Sequence, residues 1–237
     1  MARTIQGRKN RARHIRGNLA SMPFDSQRVI ETLGEADRDS HEEGVGWYHI
    51  AHSIGADLAK KYKVPTMQSI GVLAAFSPMT NWGENIRLAG EAFESFNSSG
   101  QVGGHTGNVC TKAVAILNGA DPGDVLKGFK VRSFYLNMLR PDRPGPVTVD
   151  RHALDLLCNG RGANPKLLER AGVYSYAAGC FRAAAREMRI LPHQAQAIAW
   201  VHWRKVHDVA YQVKGFAAGQ APLYKVGYTG TSEEGGA

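Results

Sequence analysis

The sequence predicts an all-α fold, on three observations. Apolar residues recur at i, i+3, i+4 and i+7 in one segment after another. No alternation of apolar and polar residues runs for more than a few positions, as a half-buried strand would require. Pro, Gly, Asp and Asn fall where such helices would start and stop. With 237 residues, 43% of them apolar, the chain can bury a real core as one unit or as two small lobes.

Residues 1–22 are read as a flexible basic arm, carrying Arg3, Arg8, Lys9, Arg11, Arg13 and Arg16 and no acid. Such an arm is solvated by itself and strengthens binding to a polyanion by releasing counterions. A helical body follows over 23–213. Its first amphipathic run begins near Asp25 with Val29, Ile30 and Leu33. After an acidic patch at 35–43, Trp47, Ile50, Ala51, Ile54 and Leu58 mark a longer helix. Pro65 opens a helix over 67–76 that is apolar nearly all round and therefore central. It stops at Ser77-Pro78, and the loop Met79-Thr80-Asn81-Trp82 leads to a helix over 83–96. A loop over 100–107 precedes a helix over 109–117, and Asp121-Pro122 starts another.

The stretch 126–157 is the most informative. Gly128 stands at a turn expected to need φ > 0, and Lys127, Lys130 and Arg132 crowd positive charge around it. Val131, Phe134, Tyr135 and Met138 give the next helix its packed face. Residues 140–146, Arg-Pro-Asp-Arg-Pro-Gly-Pro, forbid its continuation, and 147–149 read as a short extended piece. Asp150 then caps a helix whose buried face is Ala153, Leu154, Leu156 and Leu157. By itself, an aspartate in this position is a structural cap. Residues 167–187 read as one or two Ala-rich helices, Pro192 starts a last one ending at Trp200, Val201 and Trp203, and 214–237 is a polar, Gly-rich flexible tail.

The formal net charge is +8 and the isoelectric point near 9.5, as a phosphate-binding surface would produce. Cys110, Cys158 and Cys180 are too few and too scattered for a disulfide framework or a zinc knuckle. His41, His49 and His52 lack metal-ligand spacing, so no metal is expected. No apolar run is long enough for a membrane helix and no signal peptide is recognisable, so a soluble cytoplasmic protein is expected.

The stretch 126–157 resembles the endonuclease III branch of the helix-hairpin-helix DNA glycosylase superfamily. That branch carries L-P-G-V-G-x-K-T-A followed by V-D-T-H. Leu126, Gly128, Arg132 and Ser133 fall on its Leu, first Gly, Lys and Thr, and Val149, Asp150 and His152 on its Val, Asp and His. Residues 70–85 are similar to its I-x-V-L-L-S-x-Q-x-T helix and loop, closing on Asn85 with one gapped position and Met79 near the family's Gln. A weaker match lies at 194–200. The resemblance covers roughly residues 69–203, in the family's order.

It implies a two-lobed fold, with a central lobe over 65–145 containing the hairpin and the N- and C-terminal helices forming the second. It implies DNA as partner, bound through Lys127, Gly128, Phe129, Lys130 and Ser133 with help from Arg8, Lys9 and Arg11. Asp150 would be the catalytic carboxylate, Arg132 a phosphate or leaving-group contact, and Ser77, Met79, Thr80, Asn81, Trp82, Asn85 and His152 the pocket for an extruded nucleotide. Trp82 is equally readable as core. Three cysteines cannot build the four-cysteine iron–sulfur cluster of many relatives, so no cofactor is expected. Arg132 is permanently protonated and cannot attack the sugar as the family's lysine does, so strand cleavage is not expected.

Lys130 in place of the second hairpin glycine, and the missing Gln, resemble a divergent bacteriophage branch. Its glycosylase-fold members act in thymine hypermodification, replacing a pyrophosphate on a hydroxymethyl pyrimidine with an amino acid or amine. The implied function is therefore a monofunctional N-glycosylase, with such a transferase and a non-catalytic DNA-binding module as alternatives. Which base is read and the oligomeric state are not specified by any spacing.

Overall fold

The computed structural model describes residues 2–207, and the side chains of all of these except 2–9 and 12. The tail expected over 214–237 lies outside the described residues. Eleven α-helices are present among them: α1 (Ala2–Ala20), α2 (Ser26–Glu35), α3 (Arg38–Tyr62), α4 (Thr66–Phe76), α5 (Trp82–Ser99), α6 (Gly107–Leu117), α7 (Pro122–Val125), α8 (Phe129–Leu139), α9 (Arg151–Leu157), α10 (Val173–Met188) and α11 (Pro192–Val206). A 3₁₀ turn spans Pro165–Glu169. No strand occurs among the described residues; the segment 147–149 is buried and pairs with nothing as a ladder.

Helix α3 is the spine. Its 25 residues run well beyond the usual three or four turns, and it buries Trp47, Tyr48, Ala51 and Leu58 along one side. Two glycines let neighbours approach its backbone. A Cβ on Gly44 would lie 2.4 Å from Cα of Ile198 in α11, and one on Gly55 would lie 2.5 Å from Cγ1 of Ile70 in α4. Helix α4 buries every residue from Ser69 to Phe76, as its all-round apolar sequence requires.

The apolar side chains form two clusters. The first gathers α3 to α8 around Phe76, Phe93, Ile116 and Met138. The second gathers α2, residues 147–157, α10 and α11 around Leu33, Leu154, Leu157 and Phe181. Helix α11 joins them, since Ala197 and Val201 face the first and Ile198 and Trp203 the second.

Three sequence expectations change. Residues 2–20 form helix α1, where the reading had an arm without regular structure; its last turns dock on α10, with Asn18 Nδ2 donating to Ala171 O at 3.2 Å. The acidic residues Asp39, Glu42 and Glu43 belong to α3 itself, because Asp37 caps that helix by accepting from Ser40 N at 2.8 Å. Acids in a first turn also suit the positive end of the helix dipole. Gly128 has φ −68° and ψ 131°, the extended backbone of an N-cap that any residue adopts, so the turn needs no positive φ there.

Candidate functional site

Asp150 caps α9. Its Oδ1 accepts from Ala153 N at 2.8 Å, and Oδ2 accepts from the indole Nε1 of Trp200, on α11, at 3.0 Å. The guanidinium of Arg204, one helical turn beyond Trp200, lies 4.4 Å over the indole ring. The His152 ring stands edge-on to the same indole at 6.4 Å. Burial pushes the His152 imidazole below its ordinary value, with Arg204 and Arg151 acting the same way against the opposing charges of Asp150 and Asp155. A half-exposed carboxylate, oriented by two N–H donors, thus sits beside a neutral imidazole.

The segment leading to Asp150 is tied down from below. The Tyr48 hydroxyl lies 3.0 Å from both Thr148 Oγ1 and Gln196 Oε1, and Asn137 Nδ2 donates to Thr148 Oγ1 at 3.1 Å. The Tyr174 hydroxyl accepts from Val149 N at 3.1 Å and donates to Val147 O at 2.9 Å. Burial raises both tyrosines above the ordinary phenol range, so they act as neutral hydrogen-bonding groups. These bonds satisfy the peptide groups of a buried segment that lacks a ladder.

The loop at 77–82 separates into engaged polar groups and one projecting apolar residue. Ser77 Oγ donates to Ala74 O, Thr80 Oγ1 donates to Phe76 O, and Asn81 Oδ1 accepts from Glu84 N to cap α5. Trp82 is in the core, its ring 5.2 Å from Trp47 and 6.0 Å from Phe134. Asn85 is buried as well. Trp82 and Asn85 are thus buried and not open to solvent, and Trp82 Nε1 and Asn85 Oδ1 have no hydrogen-bond partner among the described residues. Met79 is 90% exposed, with its backbone in the left-handed region at φ 62°. That conformation is costly for a residue with a Cβ and marks a position held by its surroundings. The loop reaches the carboxylate through rings: Trp82 touches Trp47, and Trp47 stands 6.2 Å from Trp200.

At the basic turn, Lys127, Gly128 and Arg132 are exposed and Lys130 is half-buried. Lys127 reaches Asp124 only at 3.5 Å. No hydrogen bond or ion pair joins Arg132 to Asp150 among the described residues, so the two expected catalytic groups are not in contact. Ser133 is buried, 3.4 Å from the Tyr174 hydroxyl, which removes it from the surface. Phe129 is 67% exposed and stacks on Tyr174 at 5.3 Å. Arg11 is exposed on α1; the side chains of Arg8 and Lys9 lie outside those described.

Trp200, Arg204 and Tyr174 complete this arrangement and were not predicted as site residues. The sequence carries no sign of them beyond the apolar spacing of α10 and α11, since each meets its partner across a long stretch of chain. Two surface depressions lie elsewhere, one of about 420 Å³ lined by His49, His52, Arg140 and Arg143, the other of about 270 Å³ beside Arg28 and His202. Among the described residues no group of three or more His, Cys, Asp or Glu is placed to hold a metal ion, and no helix is long and apolar enough to cross a membrane.

These features define an all-helical protein with a locked aspartate, an exposed methionine on a strained turn and a cationic helix start. The chain belongs to DUF7178, a family of unknown function, which it matches over residues 19–207. The basic residues of α1 up to Arg16 precede the matched segment. No curated protein and no solved structure matches the chain.

Proposed function

We propose that the protein acts on DNA, extruding one nucleotide and processing its base at Asp150 without cutting the strand. The observation that supports this best is the connection between Met79 and Asp150. An apolar side chain projects into solvent from a strained turn, and the rings behind it lead to a carboxylate whose direction is set by Ala153 N and Trp200 Nε1. Extrusion leaves a gap in the stack that an apolar wedge fills, and Met79 has the exposure for it. The resemblance to the glycosylase superfamily adds the chemistry. As the bond from the base to C1′ breaks, its electron pair leaves with the base, and Asp150 stabilises the positive charge left on the sugar. Water then bonds to C1′ and gives up a proton. Lys127, Lys130 and Arg132 supply phosphate contacts.

A second reading, DNA binding without chemistry, is favoured by the fact that both Asp150 oxygens already accept hydrogen bonds within the fold. The deciding experiment incubates the protein with DNA carrying uracil, oxidised, alkylated or pyrophosphorylated hydroxymethyl bases and follows nucleosides by mass. Abasic sites that disappear with Asp150→Asn support glycosidic cleavage. A mass gain on an intact nucleoside, dependent on an added amine, indicates the transferase. Bound but unchanged DNA leaves the second reading. Asparagine can keep the cap to Ala153 N, but its NH2 then faces the Trp200 N–H, so Trp200→Phe serves as the control for that lost bond.

A further inference from the structure

We infer that the surface around Phe129 holds a single-stranded segment of DNA, with one unpaired base stacked on the Phe129 ring. This rests on the reading of the protein as DNA-acting and adds an unpaired stretch beside the duplex from which the nucleotide is extruded. Phe129 opens α8 with two-thirds of its surface in water, an unfavourable place for a large aromatic residue. The ring is backed by Tyr174, 5.3 Å away and inclined by 26°. Tyr174 is held in turn by Val147 O, Val149 N and Ser133 Oγ, so the platform is rigid.

Cations come to this end of the molecule from two distant parts of the chain. Lys127, Lys130 and Arg132 belong to the turn and the start of α8. Helix α1 brings Arg11, Arg13 and Arg16, all exposed, because it docks on the first turn of α10, the turn that carries Tyr174. The docking is made by the Asn18 bond to Ala171 O, and by Ile15, whose Cγ2 would be 2.7 Å from a Cβ on Gly172. Arg170 is exposed at the same end, and the acids near this surface are Asp121, Asp124 and Glu169 in sequence and Asp150, whose charge acts on Tyr174. Phosphates match the cations. A duplex keeps its base faces stacked internally and offers nothing to an aromatic ring, whereas a single strand presents both phosphate and free base faces.

The test is fluorescence anisotropy of the full chain with labelled oligothymidylate and with a duplex of equal length, for the wild type, Phe129→Ala and Phe129→Trp, over a salt series. The wild type is expected to bind both ligands, the single strand through Phe129. Phe129→Ala should weaken that binding about tenfold or more, as loss of one stacked base does, while duplex binding changes by less than about twofold. The salt slope should stay constant, since the phosphate contacts remain. Phe129→Trp should restore affinity. Equal losses on both ligands, no loss on either, or a preference for oligouridylate would overturn the inference. Duplex binding with Phe129→Ala silent sinks this inference alone, while failure to bind any polynucleotide also sinks the proposed function. Unchanged thermal melting of Phe129→Ala, whose side chain is largely outside the core, guards against misfolding as the cause.

Discussion

Asp37 and Asp150 cap two helices in the same manner and reach the same third helix with their second oxygen. Asp37 Oδ1 accepts from Ser40 N at 2.8 Å and Oδ2 pairs with Lys205 of α11. Asp150 Oδ1 accepts from Ala153 N at 2.8 Å and Oδ2 accepts from Trp200, also of α11. The difference lies in the charge of the distant donor. The Lys205 ammonium, with help from Ser40, holds the Asp37 carboxyl well below the usual carboxylate range and cancels its charge locally. An indole N–H orients a carboxylate without neutralising it. The Asp37 cap is thus closed by an ion pair and the Asp150 cap by a neutral donor.

The largest effect that separates the two caps is on turnover. Asp150→Asn should lower any base-processing rate by about 100-fold or more, the usual loss when a charge-stabilising group is removed. Asp37→Asn should leave the rate unchanged. Gly44→Ala acts on both caps through α11: the added Cβ meets the Ile198 backbone, which cannot swing aside as a side chain can. Its expected cost is about 3 kcal/mol in urea unfolding, and full stability would show that α11 is free to shift. Trp200→Phe keeps an aromatic ring, though a smaller one, and deletes the donor. It should reduce kcat/KM about tenfold, consistent with losing one hydrogen bond to a charged group, whereas Lys205→Met should have no kinetic effect.

The smallest effect is on the pH dependence of stability. His152 and His193 are lowered by burial, so the unfolded chain takes up their protons first. Stability should begin to fall as pH drops below about 6.5, the ordinary imidazole value. Asp37, lowered chiefly by Lys205, and Glu94, lowered chiefly by Tyr62, contribute stability above the usual carboxylate range that is lost at more acid pH. Asp37→Asn should flatten only that lower limb of a melting-temperature profile. A change confined to the region near pH 6 would instead assign the effect to the histidines.

Both caps show how far the sequence could be read. The capping role of Asp150 and the extent of α9 were legible because a cap bonds to a backbone three residues away. The acidic patch was misplaced ahead of α3 because polarity near a helix start looks like a loop. Trp82 stayed ambiguous between pocket and core, since a lone aromatic after a turn fits either; packing against Trp47 and Phe134 decides for the core. Gly128 was read as a conformational necessity and turned out to have ordinary extended geometry.

Local order was legible in the sequence for most of the chain: the helical segments after α1 with most of their caps and breaks, the basic turn, and an apolar α4 that had to be central, but not the helicity of α1 or the first turns of α3. Their causes act over a few residues, through backbone hydrogen bonding, side-chain spacing and prolines. Tertiary structure alone decided that Trp200 donates to Asp150, that Lys205 pairs with Asp37, that Met79 and not Trp82 faces solvent, and that α1 docks against α10. Each depends on how the two apolar clusters close around α3 and α11, where Gly44 lets the helices touch. The two cap contacts join positions 50 and 168 residues apart, and no local pattern encodes them.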